Sequence, residues 1–174
     1  YDNETLIRGF AKACDSDPRL HLTLKGDGPD EQYIRELVTD MQLTDRISFR
    51  KKTGYAEVPL DYRNADIFIT TSTSDGTPVS VLEAMASGLP CIATSVGGIP
   101  EWVENNVTGL LIEPGSPDQV ATAILILSRD QGLRKRLGAT AREVVVNNGQ
   151  WKILMGRAEK DYQELIKTYR QDSP

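Results

Sequence analysis

Two carboxylates, Asp75 and Glu83, bracket the turn Gly76-Thr77-Pro78 and the start of the apolar stretch that follows it. Pro78 suits the first position of a helix and Thr77 its cap, so the segment predicts a helix from Pro78 to Ser87. The backbone amides of Gly76, Thr77, Val79 and Ser80 then lack intrahelical partners and form an anion site, for which phosphate is the obvious candidate. Glu83 falls one turn further on, on a face shared with Ser80 and Ser87. Its carboxylate can accept two hydrogen bonds from the hydroxyls of a ribose joined to that phosphate. Val79, Leu82 and Ala86 are expected to dock the helix on a sheet. Asp75, on the turn itself, would lie on the other side of the phosphate, where a sugar would be. Read singly, each acid has a plain alternative: Asp75 as an ordinary Asp-Gly turn residue, and Glu83 as an exposed helical glutamate favoured by the helix dipole.

Such residues need a scaffold, and the chain alternates two periods. Helical patterning over Asn3 to Cys14 gives way to a strand at Leu20 to Leu24, a helix at Asp30 to Met41 and a short strand at Arg46 to Phe49. Tyr55 to Asn64 holds helical turns around Pro59. Ile67 to Thr71, Cys91 to Thr94 and Thr108 to Ile112 read as buried parallel strands, and Pro117 to Ser128 as a helix. Two long, charged amphipathic helices follow, Gln131 to Val146 and Trp151 to Tyr169, broken at Asn147-Asn148-Gly149. Strands joined through helices predict an α/β fold, a Rossmann-like doubly wound parallel sheet of about five strands with C-terminal helices. In such sheets ligands bind beyond the carboxyl ends of the strands, which singles out three glycine-bearing turns. Gly26 and Gly28 either let the chain turn at positive φ or let a phosphate or base pass close to the backbone. The third glycine of a dinucleotide fingerprint is replaced by Glu31. Glu101, after Gly97-Gly98, either lines the cleft or complements a helix dipole.

Composition narrows the function classes. The chain has 174 residues, enough for one domain with a real core, and a net charge of -5, with no basic excess for nucleic acid or anionic lipid. It has neither an apolar run long enough to span a membrane nor a visible secretory leader, so a cytoplasmic location is the default expectation. Cys14 and Cys91 sit in predicted core positions and build neither a disulfide framework nor a metal site. The lone His21 falls inside a strand pattern and reads as structural.

The motif Asp75-Gly76-Thr77-Pro78, followed by Leu82-Glu83-Ala84-Met85-Ala86-Ser87-Gly88-Leu89-Pro90, Gly97-Gly98-Ile99-Pro100-Glu101 and Thr108-Gly109-Leu110-Leu111, resembles the C-terminal domain of the family 4 (group 1) retaining glycosyltransferases. Gly26-Asp27-Gly28-Pro29, Tyr62, Ala65-Asp66, Ser72, Ala141-Arg142 and Trp151 extend the likeness essentially end to end. The resemblance implies a GT-B enzyme of two Rossmann-like domains. Residues 1–149 would be its nucleotide-sugar-binding domain and 150–174 a C-terminal helix reaching toward the N-terminal domain. It also implies transfer of a glycosyl group from a UDP, GDP or ADP sugar with retention of configuration, without metal or cofactor.

By the same resemblance, Glu83 matches the second acid of the family's Glu-x7-Glu motif, which grips the ribose, and Asp75 the first, which contacts the donor sugar. The amides of Gly76, Thr77 and Val79 would hold the distal phosphate. Arg50 to Thr53 fall where the base sits. Aspartate in place of the family's first glutamate is one methylene shorter, so the sugar lies closer to the turn or the contact runs through water. The family's first strand and its Arg-Lys pair have no counterpart in these residues, and this chain alone is expected to be inactive. The alternatives are a non-catalytic nucleotide-binding module, or another GT-B enzyme such as an epimerase.

Overall fold

The computed structural model describes residues 1–52, 54, 57–76, 79–149, 155–156 and 158–163. Asp2 caps the first helix, α1 (Asn3–Ser16): its carboxylate accepts the Thr5 N–H at 2.9 Å and the Thr5 hydroxyl at 2.6 Å. The chain then runs through β1 (Leu22–Lys25), α2 (Glu31–Asp40), β2 (Ile47–Arg50), α3 (Val58–Arg63), β3 (Phe68–Thr70) and α4 (Val79–Ala86). After these come β4 (Cys91–Thr94), a single 3-10 turn at Ile99–Glu101, β5 (Gly109–Ile112), α5 (Pro117–Arg129) and α6 (Gln131–Asn148).

The expected strands are present, with bounds moved by one or two residues. β1 begins at Leu22 and ends on Lys25, β2 runs on to Arg50, β3 keeps only Phe68–Thr70, and β5 starts at Gly109. α6 continues to Asn148, past the expected end at Val146, because Gly149 N–H closes on the Val145 carbonyl at 2.7 Å. The helix expected from Trp151 to Tyr169 lies largely outside the described residues.

Every strand pair is parallel, but the ladders form two sheets, β1-β2 and β3-β4-β5. β4 shows why both faces must be covered, since all four of its residues are buried. Ile92 packs into a cluster with Leu6, Ile7 and Phe10 of α1 and Val120, Ile124 and Leu127 of α5. Cys91 and Ala93, one position away on either side, face the opposite cluster of Val81, Ala84, Met85, Ile99 and Val103. Burial of this kind is worth about 1.5–3 kcal/mol for each large aliphatic side chain.

That alternation also fixes the topology. α2, which connects β1 to β2, packs in the first cluster, whereas α4, which connects β3 to β4, packs in the second. Parallel crossovers are right-handed, so connections on opposite faces carry the strands in opposite directions. The two sheets therefore extend away from each other, and the reversal falls between β1 and β3. Leu22, Leu24, Ile67 and Ile69 from both sides of that division lean on the one first cluster, which holds the sheets together from below. Asp2 ties α1 to the end of β3: its N–H donates to the Thr71 carbonyl at 2.9 Å, and the Thr71 hydroxyl returns to the Asp2 carbonyl at 2.7 Å.

Candidate functional site

In a doubly wound sheet the crevice lies at the carboxyl ends of the strands where their order reverses, here outside the ends of β1 and β3. The segment leaving β3 is anchored from beneath by hydroxyls. Thr70 Oγ1 and Ser72 Oγ lie 3.1 Å apart in the interior, and Thr94 Oγ1 donates to the Ser72 carbonyl at 2.6 Å. From Ser72 the chain rises into Asp75 and Gly76.

The Gly97-Gly98 loop after β4 supports that turn directly. Gly98 N–H donates to the Asp75 carbonyl at 2.8 Å. A Cβ on Gly97 would lie 2.0 Å from the Asp75 carbonyl oxygen, and one on Gly98 would lie 2.4 Å from that of Gly76. Gly97 also has φ of +54°, so it meets both demands that favour glycine: close approach and a left-handed backbone. Gly76 itself is exposed, with open space around its Cα.

α4 begins just beyond. Thr77 and Pro78, the expected cap and first helical residue, lie outside the described residues. Helix geometry leaves the N–H groups of Val79 and Ser80 in the first turn without intrahelical acceptors. The docking face differs from the one expected: Val79 is 51% exposed, while Val81, Ala84 and Met85 are fully buried. The helix is apolar almost all round, so its own pattern does not select a face. The first turn faces solvent at Val79, and the buried stripe runs instead through Val81, Ala84 and Met85 onto β4.

Glu83, Ser80 and Ser87 do share one half-buried face. The Ser87 hydroxyl donates to the Glu83 carbonyl at 2.8 Å. The Tyr62 hydroxyl of α3 lies 3.1 Å from Glu83 Oε2 and 3.2 Å from the Ser80 carbonyl. Behind α4, α6 sets its position: Gly138 lies so close to Gly88 that a Cβ would come within 2.0 Å of the Gly88 carbonyl, and Arg142 donates to the Ala86 carbonyl.

Across the crevice stand Gly26, Gly28 and Arg50. Gly26 N–H donates to the Arg50 carbonyl at 3.0 Å, which brings the ends of β1 and β2 together, and both glycines have open space where a side chain would be. Gly26 has φ of +139°, a conformation that glycine tolerates best. The Arg50 side chain is 3.8 Å from Asp61 on α3, and Lys25 pairs with the same carboxylate. Arg50 and Lys25 thus meet the same carboxylate beside the crevice. This cluster and the Tyr62 contact were not foreseen from sequence, because the partners come from α3 and from strand ends far away in the chain. Glu101 is placed elsewhere: it is exposed and borders a cavity of about 420 Å³ with Trp102, Leu111 and Val144, to which Asp75, Gly76 and Glu83 do not contribute. Among the described residues no group of three or more His, Cys, Asp or Glu side chains is arranged to hold a metal ion, and no helix is long and apolar enough to cross a membrane.

Comparison with known proteins gives this arrangement its context. The family profile described as glycosyl transferases group 1 matches residues 2–144. N-acetyl-alpha-D-glucosaminyl L-malate synthase of Bacillus anthracis is 32% identical over 165 residues, 94% of this chain and 42% of that protein. The chain therefore spans less than half the length of this curated relative. The solved C-terminal domain of the group 1 glycosyl transferase LpcC of Francisella tularensis superposes with a TM-score of 0.77 at 27% identity, over 86% of this chain and 80% of that one. HepE of Anabaena, solved with UDP and glucose, gives a TM-score of 0.77 at 25% identity, over 91% of this chain and 44% of that one.

Proposed function

The chain belongs to the group 1 glycosyl transferases, and from that membership we propose that it is the donor-binding half of an enzyme that moves a glycosyl group from a nucleotide-diphosphate sugar to an acceptor with retention at the anomeric carbon. Residues 1–149 are its nucleotide-sugar-binding domain. The observation that carries the reading is the placement of Glu83 one turn inside a helix that opens onto the sheet's reversal point, with its carboxylate half-buried. Glu83 accepts the two ribose hydroxyls. The Gly76 amide and the first turn of α4 take the distal phosphate, Thr77 contributing its amide. Asp75, held by the Gly97-Gly98 loop, meets the donor sugar, directly or through one water. Gly26, Gly28 and Arg50 form the wall against the base.

The chemistry needs no protein nucleophile. As the bond between anomeric carbon and phosphate oxygen breaks, negative charge grows on the leaving nucleoside diphosphate. Fixed amides at a helix start stabilise that charge more in the transition state than in the ground state. The HepE complex with UDP supports a uridine nucleotide as the first to try.

The test is isothermal titration of the chain and of Glu83→Ala with UDP, GDP and ADP in metal-free buffer. One nucleotide is expected to bind, and the variant to bind it about tenfold more weakly or worse, since each hydrogen bond to a charged group is worth roughly 1.5–3 kcal/mol. Equal affinity in the variant removes Glu83 from the ribose.

A further inference from the structure

A glutamate side chain turns about three bonds, so a carboxylate that awaits a ligand untethered loses affinity to the ordering that binding imposes. Tyr62 supplies a tether. Its hydroxyl has one proton to give and stands between two acceptors, Glu83 Oε2 at 3.1 Å and the Ser80 carbonyl at 3.2 Å. The Ser80 carbonyl alone would satisfy a half-buried phenol. The approach to Glu83 is therefore more than burial of the hydroxyl demands. The ring cannot easily swing away, because Phe68 of β3 meets it edge-on, with centroids 5.9 Å apart and planes at 62°. One lone pair of Oε2 is used by this contact, and both lone pairs of Oε1 stay available for other donors.

Resting on the donor-site reading above, we propose that Tyr62 is a positioning residue for Glu83, fixing the carboxylate in the orientation that accepts the ribose hydroxyls and so favouring ribonucleotides over their deoxy analogues without touching the nucleotide. The role requires the phenol to remain a donor. Burial, reinforced by the Glu83 charge, pushes its pKa well above the ordinary tyrosine range, so it keeps its proton throughout neutral and moderately alkaline pH. Tyr62 also sits next to Asp61, which holds Lys25 and Arg50 across the crevice, so one short helix places groups on both walls.

Two measurements test this. In the first, wild type, Tyr62→Phe and Glu83→Ala are titrated with UDP, GDP or ADP, whichever binds, and with its 2′,3′-dideoxy analogue. Tyr62→Phe keeps the ring against Phe68 and should weaken the ribonucleotide about fivefold while leaving the dideoxy form within about twofold. An equal loss for both ligands makes Tyr62 a packing residue only and overturns the proposal. If wild type does not distinguish the two ligands, the ribose reading itself falls. If wild type and Tyr62→Phe discriminate alike while Glu83→Ala does not, the ribose reading stands and the positioning role fails. The second measurement needs no ligand: the Tyr62 ring carbon signals are compared by NMR at pH 7 in wild type and Glu83→Gln. Replacing the charged acceptor should shift them, and unchanged signals overturn the contact.

Discussion

Gly97→Ala tests whether the acidic turn owes its place to the loop beneath it. The added methyl would stand 2.0 Å from the Asp75 carbonyl oxygen and 2.8 Å from its carbon, both backbone atoms that cannot rotate aside. The backbone at Gly97, with φ of +54°, must in addition accommodate an L side chain, which costs about 1–2 kcal/mol. Relieving the clash separates loop from turn and stretches the Gly98 N–H bond to Asp75, now 2.8 Å, a loss of about 1 kcal/mol. The sum, about 2–3 kcal/mol, corresponds to a fall in melting temperature of roughly 4–12 °C for a domain of this size. Thermal unfolding followed by circular dichroism reads it. Gly76→Ala is the internal control, on the same turn but with nothing within 4 Å of the new methyl and no left-handed φ. It should melt within about 2 °C of wild type. A Gly97→Ala protein that melts with wild type, or a Gly76→Ala protein that falls as far, refutes the buttress.

Gly138→Ala sets a methyl 2.0 Å from the Gly88 carbonyl; it should destabilise the chain by about 1–3 kcal/mol in denaturant titration, since α6 must back away from α4. Asp17, which accepts a two-pronged bond from the Arg19 guanidinium and another from the Arg19 N–H, has its pKa lowered to about 2 from 3.8. Its contribution is complete above the unfolded value and is lost as pH falls through about 2, so Asp17→Asn should be less stable at pH 7 and show a shallower acid decline below pH 4, read by unfolding midpoints at each pH. Cys91 is fully buried, and burial pushes its thiol up to about 12, so iodoacetamide at pH 8 should label the half-buried Cys14 first and Cys91 only after denaturation, as mass spectrometry of peptides will show.

The strands were legible where chemistry and position agree. Ile67 to Thr71 and Cys91 to Thr94 read as buried strands because no charge interrupts them. β1 and β2 were misjudged at their ends because they finish on Lys25 and Arg50, cations that a parallel strand tolerates only where its carboxyl end meets the crevice and a counter-charge such as Asp61. The face of α4 was not legible from period alone: Val79, Val81, Leu82, Ala84, Met85 and Ala86 offer apolar stripes in several directions. The choice is made by the sheet and by Gly138 on α6, both distant in sequence. Glu83 stood out because it is the one charge in that helix. Tyr62, by contrast, belongs to a segment with little pattern of its own, and its distance in sequence from Glu83 hid the contact that the fold creates.

The crevice has two banks, one where β1 and β2 end and the other where β3 leads into α4. They are joined by the shared apolar cluster on one face, by the Asp2–Thr71 bonds between α1 and the end of β3, and by α3 at the carboxyl edge, where Asp61 grips one bank and Tyr62 the other. A ligand that touches both Arg50 and Glu83 does more than fill a groove: it ties the two banks to each other, and its binding should register as exchange protection in strands it never contacts.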